Sequence, residues 1–169
     1  MIFVRPEPIT ARAYAGFGAL VGAGESPPRS ANHGSAQAWD DLAALVSLRG
    51  DAARPTVSLF RCAPHVGGAL EVRWLERHPA STQMFVPMSA SRYLVVVATG
   101  GDAPDLSSLC AFVVPGAQAI TYAPGIWHHP MVALDREADF VNFLFADGTA
   151  GDCDERAFDP PCARVAIGG

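Results

Sequence analysis

The sequence predicts a mostly β protein, a sandwich or barrel with a few short helices. Short alternating or wholly apolar runs recur from position 56 onward, separated by turns roughly every eight to twelve residues. Sixteen glycines and fourteen prolines punctuate the chain. No helix-period segments alternate with these runs, which argues against a parallel α/β sheet. A chain of 169 residues suits one domain, 1–169, with a sizeable core.

Thr10 is placed to cap a brief helix over 11–17, closed by Gly18. Residues 22–35 are rich in Gly, Pro and Ser and read as a long loop. Residues 36–48 are ambiguous: the alanines favour helix, whereas Trp39, Leu42, Val46 and Leu48 also suit an extended segment. Strands follow over 56–62, 69–75 and 83–87. In the last of these, Gln83, Phe85 and Pro87 share one side. The run 93–98 is continuously apolar and fits a strand buried on both faces. Asp105 caps one helical turn before 111–114, and 119–122, 127–133 and 140–145 complete the set. After Asp147 the tail is acidic and contains prolines, so it is expected on the surface.

The composition is that of an ordinary soluble protein, 50% hydrophobic and 17% charged with net charge -5. No basic run offers a nucleic-acid footprint. No segment approaches the roughly 20 apolar residues that span a bilayer. Arg5, Glu7 and two prolines stand where a signal peptide needs an apolar stretch, so a cytoplasmic protein is expected. Cys62 and Cys110 read as buried thiols. Cys153 and Cys162 could approach each other, but a cytosolic disulfide is not expected.

Two segments carry the chemistry. Glu76-Arg77-His78 stands just ahead of the strand that starts at Gln83, and Trp127-His128-His129 opens another strand after the Pro124-Gly125 turn. His128 and His129 must point to opposite faces. His128 is the inward choice, and His129 becomes a rim or packing residue. A strand histidine is as readily structural as catalytic. Arg61 ends an apolar strand and needs an anionic partner, either a ligand or Glu71 or Glu76. Asn32 and His33 read as turn residues, and Tyr122 and Trp127 as core or pocket-wall aromatics. His78, Gln83 and His128, with Glu76 as a fourth, make only a sparse metal set, and no metal or cofactor is expected.

At these residues the chain resembles the bacterial ureidoglycolate lyase family. The resemblance is carried by Glu76-Arg77-His78-Pro79, Thr82-Gln83-Met84-Phe85-Val86-Pro87, Pro104-Asp105-Leu106-Ser107 and Trp127-His128-His129-Pro130, and it runs over most of the length. It implies a cupin-like double-stranded β-helix barrel, a homodimer, and a small anionic substrate. The implied reaction releases urea from ureidoglycolate and leaves glyoxylate, late in allantoin breakdown. For that reaction His128 is the candidate base and His78, steadied by Glu76, the acid or carboxylate donor. Arg61 would anchor the carboxylate, Gln83 would bind the ureido group and Phe85 would wall the pocket, with Asn32 and Tyr122 in the substrate-binding set. Three positions depart from the family pattern: Ala38 where an arginine is usual, Ala123 for a histidine and Leu144 for an aspartate. A divergent barrel that binds or converts another small hydroxy acid is the alternative.

Overall fold

The computed structural model describes residues 1–24 and 27–167. It is mostly β. The strands are β1 (Ile2–Val4), β2 (Glu7–Pro8), β3 (Leu20–Val21), β4 (Arg29–Ala31), β5 (Ala36–Ala38), β6 (Arg54–Cys62), β7 (Ala69–Val72), β8 (Trp74–Arg77) and β9 (Gln83–Pro87). They continue as β10 (Arg92–Ala98), β11 (Cys110–Pro115), β12 (Ala119–Tyr122), β13 (Trp127–His128), β14 (Val132–Ala133), β15 (Ala138–Ala146), β16 (Asp154–Ala157) and β17 (Ala163–Ala166). One short helix, α1 (Ala11–Tyr14), starts at Thr10, whose hydroxyl accepts the Ala13 amide at 3.1 Å.

Two large sheets face each other. One runs β16-β8-β13-β10-β11-β2, with β14 also on β10, and the other runs β3-β12-β9-β15-β6. Phe85, Ile120, Tyr122 and Phe140 from the second sheet meet Tyr93, Val95, Val97 and Phe112 from the first in a shared core. The result is a flattened barrel, the cupin-like architecture that the resemblance implied. The small sheet β1-β17-β7 covers the outer face of the first sheet. There Leu94, Val96 and Ala98 pack with Leu70, Val72, Ala163 and Val165. β10 is therefore buried on both faces, as its unbroken apolar sequence predicted.

Several expectations change. Residues 22–35 are not one loop, because β4 and β5 form a hairpin. The ambiguous stretch 36–48 contains no helix. Hydrogen bonds from Leu48 N–H to the Ala80 carbonyl and from Thr82 N–H to the Val46 carbonyl hold its end extended against the barrel. Tertiary pairing here overrides the alanine preference. β6 is an exposed edge strand, not a buried one. The tail beyond Asp147 is on the surface over most of 148–160, but it is not unstructured: β16 pairs with β8, and β17, the middle strand of its sheet, turns alternate residues inward. The buried pair Ala163 and Val165, at period two, explains that outcome. Cys62 and Cys110 are half-buried, and all four cysteines are free thiols. Among the described residues no helix is long and apolar enough to cross a membrane.

Because β10 fills two cores at once, Leu94→Ala is expected to cost about 2–5 kcal/mol by chemical denaturation. A cost below 1 kcal/mol would mean that the outer layer repacks freely.

Candidate active site

Register builds the site. Glu76 on β8 lies opposite His128 on β13, and His128 lies opposite Val97 of the inner core. Cross-strand partners share a face, so Glu76, His128 and, two residues beyond Glu76, His78 all point into the barrel. A hydrogen bond from the Gly125 amide to the His78 carbonyl, 2.9 Å, draws the two chemistry-bearing segments together. Trp127 points the other way into the outer core. On the facing sheet Tyr122, Gln83 and Leu144 form one inward row, and Ile120, Phe85, Asn142 and Ser58 the next.

The imidazoles are oriented by backbone carbonyls. His78 Nδ1 lies 2.8 Å from the Asp152 oxygen, and His128 Nδ1 lies 3.0 Å from the Ile126 oxygen. Each Nδ1 donates, which leaves Nε2 as an acceptor. Both Nε2 atoms are buried without a hydrogen-bond partner. Glu76 Oε1 stands 3.3 Å from His128 Nε2, close enough for ion pairing but outside good hydrogen-bond geometry. The Tyr122 ring stacks on His128 at 4.0 Å and 8°, and the His78 ring centroid is 5.8 Å from that of His128.

Burial works against the Glu76 carboxylate, but the adjacent His128 and the fields of His78 and His129 outweigh it. Glu76 is thus held below its ordinary value and is ionised at neutral pH. Burial lowers His78, the neighbouring His128 adds to this, and the Asp152 carbonyl and Glu76 offset only part. Burial also lowers His129, whose Nδ1 meets the Pro130 oxygen.

The ligating atoms of Glu76, His78 and His128 lie within 4.8 Å of one another, as do those of Glu76, Cys153 and Glu155. Two imidazoles and a carboxylate are a donor set able to hold a transition metal.

The remaining sequence candidates divide. Gln83, Phe85 and Tyr122 are buried and face inward. Arg61 does not: on the outer face of β6 it makes a bidentate pair with Asp139 at 2.8 and 2.9 Å, with Glu137 at 3.8 Å. Its partners are neither Glu71 nor Glu76, because register places Asp139 directly opposite. Asn32 is exposed at the tip of the β4–β5 hairpin with φ 50°, a turn residue beside His33 at φ 57°. Arg49, held by Asp147 and Asp152 at 2.7 and 2.6 Å, is linked to His78 through Asp152, whose carbonyl oxygen meets the His78 ring. Sequence reasoning also missed Asn142. Counting by twos from Phe140 would have put it inside.

Residues 1–165 match the family model described as ureidoglycolate lyase. The chain is 41% identical to a ureidoglycolate lyase of Burkholderia mallei over 80% of this chain and 78% of that one. It is 39% identical to one of Burkholderia cepacia over 95% and 93%. The chain belongs to the ureidoglycolate lyase family. Among solved structures, a dTDP-4-dehydrorhamnose 3,5-epimerase from Elizabethkingia anophelis overlays with a TM-score of 0.39 at 9% identity, covering 59% of this chain and 53% of that one. Within this lyase-family chain, Glu76, His78 and His128 are the groups brought together. A groove of about 480 Å³ beside Ile9, Leu20 and Gln118 has no titratable side chain in its lining among the described residues.

The lowered His78 and His129 values set a pH window. The unfolded imidazole takes a proton near 6.5, and the folded one only at lower pH. Stability is then complete above about 6.5 and declines as pH falls below it. The Glu76 contribution is lost only below its ordinary value of 4.5. Melting temperature should drop between pH 7 and pH 5, and His78→Gln should make that drop shallower. An unchanged slope would show that His78 is not buried in the neutral form.

Proposed function

We propose that this protein is a single-domain ureidoglycolate lyase that eliminates urea from ureidoglycolate and leaves glyoxylate. The observation that carries the reading is the unpartnered His128 Nε2, buried beside the Glu76 carboxylate at 3.3 Å, in a chain that matches the family over residues 1–165.

The substrate carries a hydroxyl and a ureido nitrogen on one carbon beside a carboxylate. His128 Nε2 takes the hydroxyl proton as the carbonyl forms. Glu76 balances the charge that the imidazolium gains. As the C–N bond breaks, the same proton passes to the departing nitrogen, and neutral urea leaves. His78 begins as an acceptor at Nε2, because its Nδ1–H is committed to Asp152. We therefore assign it to hold a ureido N–H, in place of the acid or carboxylate-donor role expected from the sequence.

The interior favours such a ligand. Nε2 of both histidines, Gln83 Oε1 and Asn142 Oδ1 are all buried acceptors without partners. Leaving each unpaired costs about 1–3 kcal/mol, which a ligand rich in N–H and O–H donors recovers. The four free thiols fit a reducing, cytoplasmic setting.

We also propose a homodimer formed on the outer face and free edge of β6. Val57 and Leu59 are 70% and 58% exposed there, beside half-buried Val141 and Phe143. Residues 55–60 carry no charge to discourage pairing. A two-fold axis at Ser58 would set Val57 against Leu59 of a second copy.

Purified protein mixed with racemic ureidoglycolate should release urea and glyoxylate far faster than buffer. Equal rates would end the proposal. Glu76→Gln should lower kcat about 100-fold, and His128→Gln should lower it about 1000-fold or more, with melting temperatures close to the parent. Intact turnover in His128→Gln would remove the assigned base. Light scattering should give about twice the 17.8 kDa chain mass. Val57→Lys with Leu59→Lys should give the monomer, and a double variant that stays dimeric would place the interface elsewhere.

A further inference from the structure

Asn142 is 2% exposed in the middle of β15 and points inward between Phe85 on β9 and Ser58 on β6. Its Nδ2 donates to Ser58 Oγ at 3.2 Å, and its Oδ1 is buried with no partner. Two residues along and one strand over, Gln83 repeats the pattern: 3% exposed, with Oε1 unpartnered. Two adjacent strands thus present two amide oxygens to the same interior, each able to accept one hydrogen bond. A purely structural asparagine in a core closes its own hydrogen bonds. This one uses its donor to fix its orientation and keeps its acceptor open. The inner face of β6 beside Asn142 is exposed at Thr56, Ser58 and Phe60.

We infer that Asn142 is a specificity-determining residue whose Oδ1 accepts a hydrogen bond from the terminal amino group of the ureido substituent. Gln83 takes that group's second hydrogen, and Ser58 is the positioning residue that holds the amide turned. The inference rests on the ureidoglycolate reading and deepens it. The site selects a terminal NH₂, so a substrate with a methyl group there leaves both oxygens unpaired. Sites built to hydrogen-bond a polar group reject analogues that lack it far more strongly than apolar pockets reject an extra group.

The test compares ureidoglycolate with 2-acetamido-2-hydroxyacetate, which has the same skeleton with methyl in place of NH₂ and eliminates acetamide. The parent should prefer ureidoglycolate by about 100-fold or more in kcat/KM. Asn142→Leu should cut that preference at least tenfold, mainly through KM, while the melting temperature holds or rises. Ser58→Ala, which frees the amide to turn, should cut it by a smaller factor. Calorimetry with the unreactive pair N-carbamoylglycine and N-acetylglycine reads the same preference without turnover. It should show the same narrowing even in a variant too slow to assay. If the parent neither turns over ureidoglycolate nor binds either unreactive ligand, the lyase reading itself fails. If the parent is active and the preference is unchanged in both variants, the role of Asn142 is overturned and the lyase reading stands.

Discussion

The pairing of Glu76 with His128, and the hydrogen bond from the Gly125 amide to the His78 carbonyl, put three titratable groups from two distant segments on one inward face. A slip of one residue in either strand would turn Glu76 or His128 outward and bring Arg77 or His129 in. Packing holds the register on the opposite face. Trp127 is 1% exposed in the outer core, and the Arg77 guanidinium lies 4.9 Å from its ring while pairing with Asp154 at 2.8 Å. The residues that look least chemical therefore fix where the chemistry sits. They also explain why an arginine stands between the glutamate and the histidine: it works on the far side of the strand.

The cost of the arrangement is visible in its unsatisfied groups. A well-packed protein of this size leaves few buried polar atoms without partners. Here imidazole nitrogens and amide oxygens are left so on facing sheets around the same interior. Burial also holds His78 neutral against the nearby carboxylate. Such features lower stability and persist where binding or catalysis requires them. The double burial of β10 and the aromatic contacts of Phe85 with Phe60, Tyr122 and Phe140 supply the rigid frame that tolerates them.

Much of this was legible in the sequence because period-two patterning survives wherever one face is buried. Gln83 with Phe85 and the apolar run of β10 both follow from it. The placement of Arg61 was not legible, because strand position alone does not reveal an edge, and the opposing Asp139 is known only once β6 and β15 are paired. The carbonyls of Asp152 and Ile126 that orient the histidines carry no side-chain signal at all. β16 and β17 were hidden by their acidic, proline-containing surroundings, although Ala163 and Val165 alternate as a strand should. The helical leaning of 36–48 gave way to backbone pairing with a segment distant in sequence.

The parallel pairing of β1 with β17 joins Ile2 to Ala163 and Val4 to Val165. During synthesis the strand made first must wait, unpaired, until nearly everything else has left the ribosome. The outer layer over β10 cannot close before then, and contacts so remote along the chain form slowly. Until that moment Leu94 and Val96 face water on a half-built sheet, so the interval before the last strand docks is when a nascent chain is most exposed to self-association.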